Sequence, residues 1–180
     1  MLSTLIKCGC QYRSVAKLNY DYTEKIIESW FKYIPYIKPY YAVKSFPNKQ
    51  FLTFLSNYGN NIGFDCASKY EIEMVKDISN QSDIIFANPT KSTEDILFAK
   101  NNNVNIYVID SLEELLKINS INKYAQYIIR VRSEEAYSVM KFNRKFGAWR
   151  PEVLKMLNHI KEKQLLLHLF TFKTPILSKM

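Results

Sequence analysis

Glycine is scarce in this sequence of 180 residues: there are four, alongside six prolines, three cysteines and two histidines. Glycine-rich loops that cradle nucleotide phosphates are therefore excluded. Cys8 and Cys10 are one residue apart, which is not the CxxC spacing of a redox or zinc site, and both histidines come late in the chain. No metal site is expected. The odd cysteine count, with no disulfide framework, reads as a reduced, cytoplasmic protein. No apolar run reaches the ~18 residues of a membrane helix. The longest candidate, Leu165–Phe172, is broken by His168 and Thr171, so no membrane partner is expected. The first 20 residues hold Lys7, Arg13 and Lys17 and no acid, a faint likeness to a transit peptide without the apolar stretch of a secretory signal.

What is present is ordinary for one globular domain: 47% apolar and 23% charged residues. The net charge of +8 lies wholly in residues 121–180, which carry 12 basic and 4 acidic groups, whereas residues 1–120 carry 13 of each. Such a basic third reads either as a nucleic-acid surface or as a solvated or covered face. No nucleic-acid motif accompanies it, and the second reading is taken.

Along the chain, helical and strand patterns alternate. Asp21–Tyr33 has helical spacing, and Pro35 ends it. Strands are expected at 39–45, 61–66, 83–88, 105–110, 127–132 and 165–172. Between them lie helices beginning near Asn48, Ser68, Ser92, Ser111 and Pro151. Ser68 with Glu71, and Ser111 with Glu114, have the spacing of capping boxes. Lys141–Gly147 reads as an irregular link. Six strands alternating with helices of ~10–12 residues mean parallel βαβ units. A doubly wound sheet and a (β/α)₈ barrel both fit, though a closed barrel takes at least about 200 residues. The expected organisation is an N-terminal segment 1–20, a β/α part 21–164 and an atypical tail 165–180.

In α/β proteins of either kind, chemistry sits at the carboxyl ends of strands. Those ends carry Lys44, Asp65, Asn88, Asp110 and Arg130. A lysine closing an apolar strand becomes nucleophilic if burial holds it neutral, as a Schiff-base lysine must be. It equally serves as a long side chain reaching out to water. Asp65 reads either as a counter-charge to a cation or as a loop-capping carboxylate.

Four blocks carry a more specific signal. PYYAVK (Pro39–Lys44), GFDCASKYEI (Gly63–Ile72), IIFANPTK (Ile84–Lys91) and KFGA (Lys145–Ala148) resemble eukaryotic-type ornithine decarboxylases, in that family's order and at about its spacing. FANPTK and FDCAS favour this family over diaminopimelate decarboxylases and alanine racemases. The resemblance implies an incomplete (β/α)₈ TIM-type barrel, with the family's C-terminal β-domain absent from this sequence. It implies pyridoxal 5'-phosphate as cofactor, joined to the ε-amine of Lys44. Asp65 and Arg130 would stand beside it, and Glu71 would line or brace the same pocket. The implied reaction is decarboxylation of ornithine to putrescine in polyamine synthesis, with lysine or arginine as alternative substrates. Family members form homodimers and are met by antizyme-like regulators. A non-catalytic, antizyme-inhibitor-like relative is the alternative reading, but the retained Lys44 and Asp65 favour an enzyme ancestry.

The sequence also departs from the family. Lys173, within FTFKTP (Phe170–Pro175), stands where the family has a histidine that stacks on the cofactor ring. The family's glycine-rich phosphate loop, the glutamate at its pyridine nitrogen and its cross-dimer aspartate–cysteine segment have no counterpart in these 180 residues. The sequence thus reads as the N-terminal part of such a decarboxylase, with a tail suggestive of a truncated or frame-shifted reading frame. Low activity is expected of it alone.

Overall fold

The computed structural model describes residues 17–132 and 147–172; of residues 168–172 only the backbone is considered. Cys8, Cys10, most of the Lys141–Gly147 link, Lys145 and Phe146 of KFGA, and Lys173 lie outside the described residues. The chain divides into two compact units, residues 1–38 and 39–180.

In the first unit, α1 spans Tyr20–Tyr33. Asn19 starts it by accepting the Tyr22 N–H on its side chain. The indole of Trp30 donates to the Ile37 carbonyl at 2.7 Å, tying the helix to the chain that leaves it.

The second unit is an alternation of strands and helices. Its elements are β1 (Tyr40–Ala42), α2 (Lys49–Ser56), β2 (Gly63–Cys66), α3 (Lys69–Lys76) and β3 (Ile84–Phe86), followed by α4 (Thr93–Asn101), β4 (Ile106–Ile109), α5 (Leu112–Ile121), β5 (Gln126–Val131), α6 (Arg150–Glu162) and β6 (Leu166–Phe172). All six strands pair parallel, in the order β1-β2-β3-β4-β5-β6. Sequential order with a helix in every crossover is the wall of a (β/α) barrel; a doubly wound sheet reverses its order partway. The barrel expectation therefore holds, as a six-stranded part.

Side chains alternate across each strand. One face carries Phe64, Cys66, Ile84, Phe86, Tyr107, Ile109, Tyr127 and Ile129, all buried. Against it pack buried residues of the helices: Leu52 and Leu55, Ile72 and Val75, Ile96 and Ala99, Leu115 and Ile118, Met156 and Ile160. The other face carries Asp65, Ile85, Ile106, Val108, Ile128 and Arg130, which the strand registers bring together as the inner wall. The helices start where side chains can take up their first amide groups. Asn48, Ser68, Ser92 and Ser111 accept from the amide three residues on. Pro151 sits in the first turn of α6.

Two expectations need correction. The strand foreseen at 39–45 ends at Ala42, and Val43–Ser45 forms a single 3₁₀ turn. The hydroxyl of Ser45 donates to the Ala42 carbonyl at 2.7 Å and so curls the strand's end. The capping boxes are half formed. Ser68 and Ser111 accept as expected, but Glu71 accepts from the Ala67 amide, and Glu114 turns to another element altogether.

Candidate cofactor site at the carboxyl ends of the strands

Lys44 stands in the 3₁₀ turn after β1, and its side chain is exposed. Of the two readings of that strand end, buried amine or side chain reaching out to water, the structure gives the second. The turn itself is well held. Val43 is fully buried, and Phe51 of α2 meets the rings of Tyr41 and Phe46 at 5.3 and 6.0 Å between centroids.

Asp65 lies in β2, paired with Ala42 on one side and Ile85 on the other, so its backbone is fixed by both neighbours. Its carboxyl is pushed above the usual range, first by burial. Lys44 and Arg130 pull it down, and Glu71 pushes it up. Its Oδ1 is buried and has no hydrogen-bond partner among the described residues. A buried carboxylate oxygen without a donor is costly unless something brings one.

Arg130 lies in β5, between β4 and β6. Burial lowers its pKa, while Asp110 and Asp65 act in the opposite direction. As an arginine it keeps its charge. The last pairing of β4 with β5 joins Ile109 to Ile129, so Asp110 and Arg130 are the next pair along the register. Lys44, Asp65, Asp110 and Arg130 thus stand at the ends of β1, β2, β4 and β5 along one rim, two cations and two carboxylates. Of the other candidates, Asn88 is exposed and its side chain accepts from the Thr90 amide, so it shapes a turn. Burial, with Glu71 and Asp65 adding to it, pushes the Cys66 thiol up, so it remains protonated and inert.

Two features at or behind this rim escaped the sequence. Residues 147–149 return beside the end of β5. The Ala148 amide donates to the Arg130 carbonyl, the Arg132 amide donates to the Ala148 carbonyl, and the Gly147 amide donates to Asp110 Oδ2. The Arg132 guanidinium lies 4.1 Å from the centre of the Trp149 ring. The second feature lies behind the rim: an ionic cluster of the buried Lys91 and Glu114 with the partly exposed Lys117. Its only sequence trace is a lysine between Pro89 and the N-cap Ser92, a position that reads as surface.

A group that brings an aldehyde and a hydrogen-bond donor fits these residues. Lys44 offers an exposed primary amine, and the orphaned Asp65 Oδ1 would receive the donor. Among the described residues no cluster of three or more metal-ligating side chains occurs.

Comparison with known proteins identifies the family. The family profile "pyridoxal-dependent decarboxylase, pyridoxal binding domain" matches residues 21–170. A probable ornithine decarboxylase of Dictyostelium discoideum is 38% identical over 139 residues, covering 77% of this chain and 30% of that protein. The ornithine decarboxylase of Saccharomyces cerevisiae is 35% identical over 140 residues, with the same 77% and 30% coverage. Among solved structures, the Paramecium bursaria Chlorella virus arginine decarboxylase superposes with a TM-score of 0.75 at 31% identity, over 84% of this chain and 41% of that one. The Entamoeba histolytica ornithine decarboxylase gives 0.72 at 31% identity, over 86% and 42%. The chain spans 30% of the length of the first two relatives. It belongs to the pyridoxal-dependent decarboxylases, whose pyridoxal-binding domain its residues 21–170 match and whose cofactor is pyridoxal 5'-phosphate.

Proposed function

We propose that this chain is the cofactor-carrying part of an amino-acid decarboxylase of the ornithine type, converting ornithine to putrescine, with Lys44 as the residue that holds pyridoxal phosphate. One observation carries the reading: a buried carboxylate oxygen of Asp65 without a donor among the described residues, under the influence of the Lys44 and Arg130 charges. Bound pyridoxal phosphate supplies an aldehyde for amine capture and an electron-withdrawing ring for loss of carbon dioxide. The chain's own residues do the rest. Lys44 presents its amine from a turn clamped by Tyr41, Phe46 and Phe51. Asp65 accepts a proton or a donated hydrogen bond at Oδ1 and counters positive charge at the rim. Arg130 balances the charge of Asp65, and Asp110, next to it along the strand register, favours its charged form.

Ornithine is favoured because curated relatives at 35–38% identity are named for it. Arginine is the second candidate, from the viral enzyme at 31% identity. The test is a titration of the purified chain with pyridoxal phosphate, followed by the visible absorption of a lysine-joined cofactor. Saturable binding in the wild type, abolished in Lys44→Ala, supports the reading. Equal binding by both proteins contradicts it.

A further inference from the structure

Lys91 belongs to FANPTK, the loop between β3 and α4, yet its side chain is wholly buried. Buried lysines are rare and need partners. Lys91 has them on every side. Its Nζ donates to the Val108 carbonyl of β4 at 2.7 Å and lies 3.7 Å from Glu114 Oε1. Its backbone amide donates to the same Oε1 at 3.1 Å, and its carbonyl accepts from Lys117 Nζ at 2.6 Å. Lys117 Nζ also meets Glu114 Oε2 at 2.6 Å. The rings of Phe86 and Tyr107 lie 5.4 and 5.8 Å from the ammonium.

The position of Val108 gives this cluster its meaning. The β3–β4 ladder ends at the pair Phe86–Tyr107. One residue further, Val108 has no partner in β3, and the Lys91 ammonium supplies the donor that strand no longer offers. Two residues beyond Val108 is Asp110, which accepts the Gly147 amide and faces Arg130. The ammonium of Lys91 also senses Asp110, though less than Glu114 and Lys117. Each charge therefore acts on the next from the core to the rim: Lys91, Asp110, Arg130, Asp65, Lys44.

We propose that Lys91 is a positioning residue of the cofactor rim: from inside the core it pins the end of β4 and so holds Asp110, which keeps Arg130 beside Asp65. This inference rests on the cofactor reading of Lys44 and Asp65, but its test needs no cofactor. In the full 180-residue chain, Lys91→Met removes the charge and the contact with Val108. The Gly147 amide should then exchange about tenfold faster with solvent, while amides of β2 keep their rates. The Asp65 carboxyl, followed by carbon-13 NMR, should titrate at higher pH, because a loosened Arg130 favours its ionisation less; Lys44 and Glu71, the other charges facing it, are unaltered. If Lys91→Met does not fold, Glu114→Gln weakens the hold on Lys91 and should speed Gly147 exchange in the same direction. Uniformly faster exchange with an unchanged Asp65 titration would mean that Lys91 merely stabilises the fold, and would overturn the inference, as would an unchanged Gly147. Both NMR changes without cofactor attachment at Lys44 would overturn the cofactor reading alone.

Discussion

Glu114 gives its carboxylate to Lys91, 23 residues earlier in the chain, and not to the start of its own helix. The Ser111 hydroxyl still accepts the Glu114 amide, so α5 keeps half of its cap. The released carboxylate becomes the counter-charge of a buried lysine.

The first prediction follows from that burial. Burial lowers the Lys91 pKa to about 8, although Glu114 resists. The unfolded chain keeps this proton to ~10.4. Between those values the unfolded state binds more protons than the native state, so this group's contribution to stability rises with pH. Below pH 8 the cost of the buried charge is present in full. Cys66 opposes the trend, because its native thiol stays protonated where the unfolded one ionises. The clean quantity is the stability difference between wild type and Lys91→Met in urea. It should move in favour of the wild type from pH 8 to 10. A pH-independent difference would contradict the account.

The second prediction concerns Asp65. Its carboxyl titrates above the usual range, chiefly through burial, so at neutral pH its ionised form costs stability. Sites built for chemistry often bear such costs. Asp65→Asn should raise the melting temperature, by ~2–4 °C for each kcal/mol released in a chain of this size. It should also weaken pyridoxal-phosphate binding. A lower melting temperature would count against a strained Asp65.

Gly147 yields the third. Its φ is +100°, and a Cβ there would lie 2.9 Å from the Arg132 backbone nitrogen and 3.0 Å from its Cα. Both the conformation and the space require glycine. Gly147→Ala should cost about 1–3 kcal/mol and free the Asp110 carboxylate. Thermal melts read the first effect, and loss of amide protection at residues 147–148 reads the second.

Much of this was legible in the sequence. Apolar and β-branched runs such as IIF and IYVI marked the strands, and Asn48, Ser68 and Ser111 marked helix starts, because these signals act within a few residues. The turn at Lys44 was not legible. Val43 looks like one more strand residue, and a hydroxyl bond from Ser45 to Ala42 decides where the strand stops. Nor was the Lys91–Glu114 pair, since the spacing of Ser111 and Glu114 is already explained by a local cap. Only tertiary packing reveals that the carboxylate points elsewhere.

The fourth prediction is low turnover. The chain spans 30% of the length of the first two relatives, so most parts of those enzymes lie outside the match. Purified chain with added cofactor should release labelled carbon dioxide from carboxyl-labelled ornithine far below the ~10 per second of a typical enzyme. Turnover near that value would show that those parts are not needed for the reaction.

The most direct measurement is chemical. The chain is incubated with pyridoxal phosphate, reduced with borohydride, digested and mapped by mass spectrometry. The pyridoxyl group should be found on Lys44, whose amine is exposed beside Asp65, and not on Lys91, which is sealed in the core. Label on Lys69 or Lys91 with none on Lys44 would contradict the account.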